Sequence, residues 1–216
     1  MYNSAFTPGV PSPFNFINFD FTAPQPNLDA DLVRQLSFVP GLKEFLMLRQ
    51  VHALEHATVW VLSGARNTSN SRISSENAPG DDELLGGLST DKGFYLYGNV
   101  NISDLRRAAN IALHRLTTGE WDLAVHPRCG TNLSVAMLLT AGFALGMHLV
   151  LPREPIGQII GLSIAATTAA EIAPDLGAIA QRYLTTAIPF NLQIEGIAPS
   201  RDMWGREAHF VKIKWK

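Results

Sequence analysis

The stretch that decides the fold, residues 132–173, reads NLSVAMLLTAGFALGMHLVLPREPIGQIIGLSIAATTAAEIA. Residues 132–151 contain no charged side chain, and about 20 such residues are needed to cross a bilayer. The turn PREP follows, and residues 156–173 are then apolar except for Gln158, a few hydroxyls and Glu171. Small residues dominate this second run, which favours close helix packing in lipid. We therefore predict a transmembrane helical hairpin with both ends on the same side.

A pair of buried helices in a soluble core is the competing interpretation. The length of the two runs, their lack of charge and their small residues favour the membrane. Charged residues make up only 17% of the chain, against about 25% in typical soluble domains. Arg128, Arg182 and a basic C terminus flank the hairpin, so the positive-inside tendency predicts that the soluble part is cytoplasmic.

Composition limits the remaining function classes. The chain has 216 residues and a net charge of −2, so it offers no basic surface for nucleic acid. We expect its partners to be the lipid bilayer, a substrate that the sequence does not identify and a partner in a membrane complex. Cys129 is the single cysteine, which excludes an intrachain disulfide. The first thirty residues lack both a basic start and an apolar run, so no secretory signal is predicted.

The predicted fold class is α-rich α+β, a cytoplasmic helical domain with a small β-hairpin plus the two-helix transmembrane hairpin. Four regions follow along the chain: a poorly ordered tail over residues 1–31, a soluble α+β domain over 32–130, the transmembrane hairpin over 131–174, and a C-terminal helix with short strands over 175–216. The last region is expected to pack on the soluble domain.

Within the soluble part, several local patterns predict elements. Residues 42–63 have a helical pattern, and Gly64 is suited to cap its C terminus. Residues 66–83 read as an exposed loop. Residues 84–89 and 94–97 are expected to pair as a hairpin across Asp91-Lys92-Gly93. Ser103 is the predicted N-cap of the next helix.

The motif that carries chemistry is His52-Ala53-Leu54-Glu55-His56. On a helix, His52 and His56 project from one face and can occupy two corners of a tetrahedral metal site. Glu55 beside them is placed to take a proton from a metal-bound water. The order His-x-x-Glu-His is also that of the inverted zinc-peptidase motif.

Further ligands are expected from the turn before the first membrane helix. His126 and Cys129 lie three residues apart there, and either would complete a three-ligand zinc site with one position open for water. Glu171 and Arg128 are candidates for outer partners of the metal site. If the hairpin forms, Glu171 is expected at the same membrane face as Cys129.

Each assignment has a structural alternative. The motif can arise by chance, or serve as helix-surface hydrogen bonding. Together, His52, His56, His126 and Cys129 could form a closed structural site that needs no catalysis. Glu171 could pair locally with Arg182 or Arg128, and Arg128 could be a membrane-flanking positive charge.

Several blocks of the sequence resemble the YqhQ-like family of membrane proteins, described as predicted metal-dependent enzymes. They are HALEH at 52–56, HPRCGT at 126–131, PDLG at 174–177 with QRYLTT at 181–186, and the acidic Glu195. The blocks occur in the family's order. The resemblance implies a metal site in a membrane protein and leaves the reaction open.

The chain also departs from that pattern. Ala57 stands where the family has a lysine, and residues 86–89 and 93–95 are not typical of it. The chain therefore resembles a shorter, cyanobacterial-type branch.

Three functions follow from the sequence as hypotheses. The leading one is a zinc-dependent, membrane-associated hydrolase in which Glu55 acts as base and then acid. The second is a non-catalytic scaffold or assembly factor with a structural metal site. The third is redox or metal sensing through Cys129.

Overall fold

A computed structural model of the chain describes residues 24–70, 84–152 and 154–216, without the side chains of residues 66–70. Most of the predicted N-terminal tail and residues 71–83 of the predicted loop lie outside this description. The described chain is a helix-rich α+β protein with one small antiparallel sheet, as predicted. Two of its helices are long and apolar enough to cross a membrane.

Two helices open the described chain: α1, Leu28–Gln35, and α2, Leu42–Asn70. The helix α2 runs beyond Gly64, which therefore does not form the predicted cap. A glycine inside a helix costs only about 1 kcal/mol relative to alanine, which the surrounding packing can outweigh. The central part of α2 is buried on nearly all sides, which agrees with its apolar sequence.

The sheet contains four strands, β1 (Gly86–Thr90), β2 (Gly93–Tyr97), β3 (Leu192–Arg201) and β4 (Glu207–Trp215). Their order is β1-β2-β4-β3, and all neighbours are antiparallel. The predicted hairpin is confirmed, with Ser89 opposite Phe94. Gly93 at the turn has a φ of +142°, and a Cβ there would overlap the carbonyl oxygen of Val211.

The helix α3, Ile102–Thr117, follows β2 and packs on α2. Asn101 rather than Ser103 is its N-cap, since the Asn101 side chain accepts a hydrogen bond from the Ser103 amide at 2.8 Å. The core lies between α2, α3 and the sheet. Its fully buried large side chains include Leu54, Phe94, Leu96, Leu105, Leu116 and Val211.

The hairpin consists of α4, Gly130–Val150, and α5, Pro155–Ala180, which continues as a π-helical turn, Gln181–Thr185. Pro174 lies inside α5 rather than ending it, so the apolar span runs from Pro155 to Thr185. The two helices pack through small buried residues of α5, namely Gly161, Ala165 and Ala169. Large apolar side chains elsewhere on the hairpin are exposed, including Leu138, Leu149 and Ile156. A bilayer would solvate such a surface.

Candidate metal centre

His52 and His56 lie one turn apart on α2, with their ring centroids 4.3 Å apart. Backbone carbonyls hold both rings: His52 Nδ1 lies 3.1 Å from the Thr185 oxygen, and His56 Nδ1 lies 2.7 Å from the Ala124 oxygen. A carbonyl oxygen can only accept, so each Nδ1 carries the proton. Each Nε2 is then free to bind a metal, as is usual for metal-binding histidines.

Cys129 offers a third candidate ligand atom from the N-cap position of α4. Its Sγ lies 3.3 Å from His52 Nε2 and accepts a hydrogen bond from the Thr131 amide at 3.4 Å. One ligand atom from each of His52, His56 and Cys129 falls within 4.8 Å of the others, so the group can hold a metal ion.

The environment of Cys129 favours the thiolate. Burial alone would raise the pKa of the thiol, but the hydrogen bond and electrostatic interaction with His56 and the hydrogen bonds of Thr131 outweigh it. The pKa of Cys129 is therefore lowered from its usual value. A lowered pKa suits a metal-binding sulfur, because the thiolate is the form that binds metals.

A buried glutamine connects the end of α5 to the turn that carries Cys129. The His126 amide donates to Gln181 Oε1 at 2.8 Å, and Gln181 Nε2 donates to Asn132 Oδ1 at 2.7 Å. Asn132 Nδ2 in turn donates to the Pro127 carbonyl at 2.7 Å. Gln181 is fully buried, so its polar groups depend on these partners. The sulfur ligand is therefore positioned from both hairpin helices.

Glu55 lies on the same cavity wall as His52 and His56 and is buried. Its carboxylate accepts a hydrogen bond from Ser89 Oγ of β1. Gly87, on the same strand, leaves the space that the carboxylate occupies, since a Cβ there would overlap it. Burial raises the pKa of Glu55 and outweighs the opposing effects of Ser89 and His52. A carboxyl group with a raised pKa suits proton transfer near neutral pH.

Of the other predicted site residues, two line the cavity and one does not. His126 and Arg128 line the cavity, and the His126 ring centroid lies 5.6 Å from that of His56. Glu171 is exposed on α5 and is not among the residues that line the cavity. It precedes Thr185 by 14 residues, about 21 Å along a helix at 1.5 Å per residue.

The cavity beside the three ligands has a volume of about 890 Å³ and lies between α2, β1, the turn before α4 and the end of α5. Several residues that shape it were not predicted from the sequence: Arg49, Gly87, Ser89 and Thr185. Arg49 could have been found, because it lies three residues before His52 on the same helix face. The others reach the site through tertiary contacts that have no local signal in the sequence.

The domain of unknown function DUF6391 matches residues 47–197, which include the three candidate ligands and Glu55. The chain belongs to the DUF6391 family. Among DUF6391-like proteins, an uncharacterised protein of Picosynechococcus sp. is 49% identical over 201 residues, covering 93% of this chain and 96% of that protein. No solved structure matches the chain. The resemblance of this DUF6391 protein to the YqhQ-like family stays an interpretation of its sequence blocks.

Proposed function

We propose that this DUF6391 protein is a zinc-dependent hydrolase that acts at a membrane surface. The observation that carries the proposal is the convergence of two imidazoles and a thiol within 4.8 Å beside a cavity that also contains a buried carboxylate. Nitrogen and sulfur ligands are those that zinc prefers. Three protein ligands leave one tetrahedral position open, which is the arrangement of catalytic rather than structural zinc sites.

Each residue around the candidate metal site has a separate role in the proposed reaction. Bound zinc would lower the pKa of water to about 7 and polarise a substrate carbonyl. Glu55 takes a proton from the attacking water and returns it to the leaving group, so that the elements of water add across the cleaved bond. Ser89 donates a hydrogen bond to the Glu55 carboxylate, and Gly87 leaves room for it. The carbonyls of Thr185 and Ala124 keep the Nε2 atoms of His52 and His56 available.

Proximity to a membrane is supported by the hairpin. Cys129 directly precedes α4, and Thr185 ends the apolar span that contains α5. The cavity therefore lies where both candidate membrane helices enter the soluble part. If the two helices span the bilayer, the protein should stay with the membrane fraction after alkaline extraction; recovery in the soluble fraction would contradict the membrane placement.

Metal content tests the site directly. We expect about one zinc per chain in the purified wild-type protein, on the one-site stoichiometry. The double variant His52→Ala/His56→Ala should lose it, whereas His114→Ala, which changes an exposed histidine of α3, should keep it. Wild-type protein without metal, or equal zinc in all three proteins, would contradict the proposal.

A structural metal site is the second candidate, and the position of His126 favours it. The His126 ring lies on the cavity wall near His56, so its binding would give a fourth protein ligand and close the site. Cobalt substitution distinguishes the two, because its absorption spectrum reports the ligand set. An unchanged spectrum in His126→Ala supports an open site, and loss of a nitrogen ligand supports the closed one.

A further inference from the structure

Arg49 is a cation on the wall of the metal cavity, three residues before His52 on α2. Its Nη2 donates to the carbonyl oxygens of Tyr183 and Thr186 at 3.2 and 2.9 Å. These bonds fix the guanidinium against the end of α5. Its Nε is buried and has no hydrogen-bond acceptor within residues 24–70, 84–152 and 154–216.

The charge of Arg49 is also unmatched at short range. Within the described parts of the chain, no carboxylate oxygen lies within 4.0 Å of its nitrogens. Burial lowers the pKa of Arg49, and the more distant Asp29 partly offsets this. Arginine nevertheless stays protonated in proteins. A partly desolvated cation whose nearest described carboxylate lies beyond ion-pair distance is costly, which a bound anion would relieve.

An apolar rim lies beside this cation. Phe45, Leu48 and Leu184 line the cavity, and all three are exposed, Leu184 by 64%. Leu184 belongs to the apolar span that ends at Thr185, so this rim continues the candidate membrane surface. The cavity thus combines a positive charge that no described carboxylate contacts within 4.0 Å with an apolar wall that continues the apolar surface of the hairpin.

We infer that the cavity binds an anionic amphiphile, a molecule with an acyl chain and a phosphate or carboxylate head group. The head group pairs with Arg49, and the chain lies along Phe45, Leu48 and Leu184. A volume of about 890 Å³ is within the range of about 300–1,000 Å³ that small-molecule sites occupy. This inference rests on the proposed hydrolase function and names its substrate class.

Equilibrium binding of labelled lipids to the full chain in an uncharged detergent tests the inference. Phosphatidylglycerol should bind about tenfold or more tightly than diacylglycerol with the same acyl chains, which lacks the phosphate, since hydrogen bonds to charged groups have this order of effect. Arg49→Gln should abolish the preference. Inorganic phosphate should compete only weakly, because it lacks the chain. Equal binding of the two lipids, an unchanged preference in Arg49→Gln, or phosphate binding as tight as that of the lipid would overturn the inference.

A second variant keeps the test decisive if Arg49→Gln does not fold, since Arg49 also bonds to two carbonyls. Phe45→Ala removes part of the apolar rim and should weaken phosphatidylglycerol binding about tenfold, in line with the loss of a large apolar contact. Phe38→Ala is the matched control, because Phe38 is also exposed but does not line the cavity. Equal binding by both variants would overturn the inference.

The same assay separates this inference from the hydrolase proposal. The metal-site variant His52→Ala/His56→Ala should retain the lipid preference while losing hydrolysis. A lipid preference in a wild-type protein that contains no metal would remove the hydrolase proposal and leave the binding site. Hydrolysis of uncharged substrates at a rate that Arg49→Gln does not change would remove the lipid inference and leave the hydrolase.

Discussion

Glu55 and Asp202 are two carboxylates with the same exposure, 7% each, and opposite environments. Asp202, in the turn between β3 and β4, accepts hydrogen bonds from Tyr97 Oη at 2.7 Å and Arg206 Nε at 2.6 Å. The amides of Trp204 and Arg206 also donate to it, each at 2.9 Å. Glu55 accepts one side-chain hydrogen bond among the described residues, from Ser89.

The two pKa values move in opposite directions for this reason. Burial by itself would raise both. At Asp202 the donors outweigh burial and lower the pKa to about 2, whereas at Glu55 burial prevails and raises the pKa. The donors therefore fix Asp202 as an anion, whereas the single donor at Glu55 does not offset burial. Asp202 holds a turn together, and Glu55 keeps the ability to exchange a proton beside two imidazoles.

Glu55→Gln should produce the largest effect. A glutamine preserves the shape of the side chain but cannot accept the proton, so the proposed hydrolysis should fall about 100-fold or more. Zinc content should stay at the wild-type value, because Glu55 is not one of the three candidate ligands. Asp202→Asn is the matched control and should leave turnover unchanged. Wild-type turnover in Glu55→Gln would show that the carboxylate is not the base.

Gly87→Ala should come next. The added methyl group would overlap the Glu55 carboxylate, and overpacking of this kind costs about 1–3 kcal/mol. Both the free energy of unfolding, measured by urea denaturation, and the rate of hydrolysis should fall. The adjacent Gly86→Ala is the control, since among the described residues its Cβ would meet only Tyr97 Cδ2, at 4.0 Å. Equal behaviour of the two variants would mean that the carboxylate moves aside without loss.

Ser89→Ala and Tyr97→Phe compare the two carboxylates by removing one donor from each. Loss of Ser89 leaves Glu55 without its side-chain donor and should cost about 1–3 kcal/mol of unfolding free energy. Tyr97→Phe leaves Asp202 with several donors and should cost about 1 kcal/mol. Thermal denaturation of both variants checks the order, and a larger loss in Tyr97→Phe would reverse the comparison.

The smallest expected effect is on the acid stability of Asp202→Asn. The pKa of Asp202 is about 2 in the folded chain against an ordinary value of 3.8. A carboxyl group whose pKa is lowered by folding stabilises the folded chain at pH values above its ordinary pKa. This stabilisation is lost as the pH falls towards 2. The melting temperature of Asp202→Asn should therefore decline less than that of the wild type between about pH 4 and pH 2. Asp104→Asn, which changes an exposed aspartate of α3, should decline as the wild type does.

Patterns within one element were predictable from the sequence. The charge-free run predicted α4, and the residues around Asp91-Lys92-Gly93 predicted the β1–β2 hairpin. Both depend on turn-forming residues and hydropathy within a short stretch of sequence. The spacing of His52 and His56 on one helix face was also local. The grouping of these histidines with Cys129 requires two distant blocks of sequence to meet in the fold. Only the residue types, imidazole and thiol, indicated that they would.

Single residues with weak signals were harder to interpret. Gly64 and Pro174 look like helix ends in isolation, yet both lie within helices, because packing along α2 and against α4 outweighs their local cost. The cap at Asn101 was missed because Ser103 two residues later has an equally suitable side chain. The contacts that orient the site, such as the Thr185 carbonyl and the space left by Gly87, are tertiary and cannot be seen in a linear pattern.

The three candidate ligands lie far apart along the chain, which sets the order in which they are synthesised. His52 and His56 are translated first, but Cys129 and the Ala124 and Thr185 carbonyls that orient the imidazoles follow only later. A nascent chain that ends after α2 contains both imidazoles. It lacks the carbonyls that set their tautomers, and it lacks Cys129. If the site holds a metal, its stable uptake therefore has to follow the synthesis and docking of the hairpin, and a chain truncated before Thr185 lacks part of the support for the candidate site.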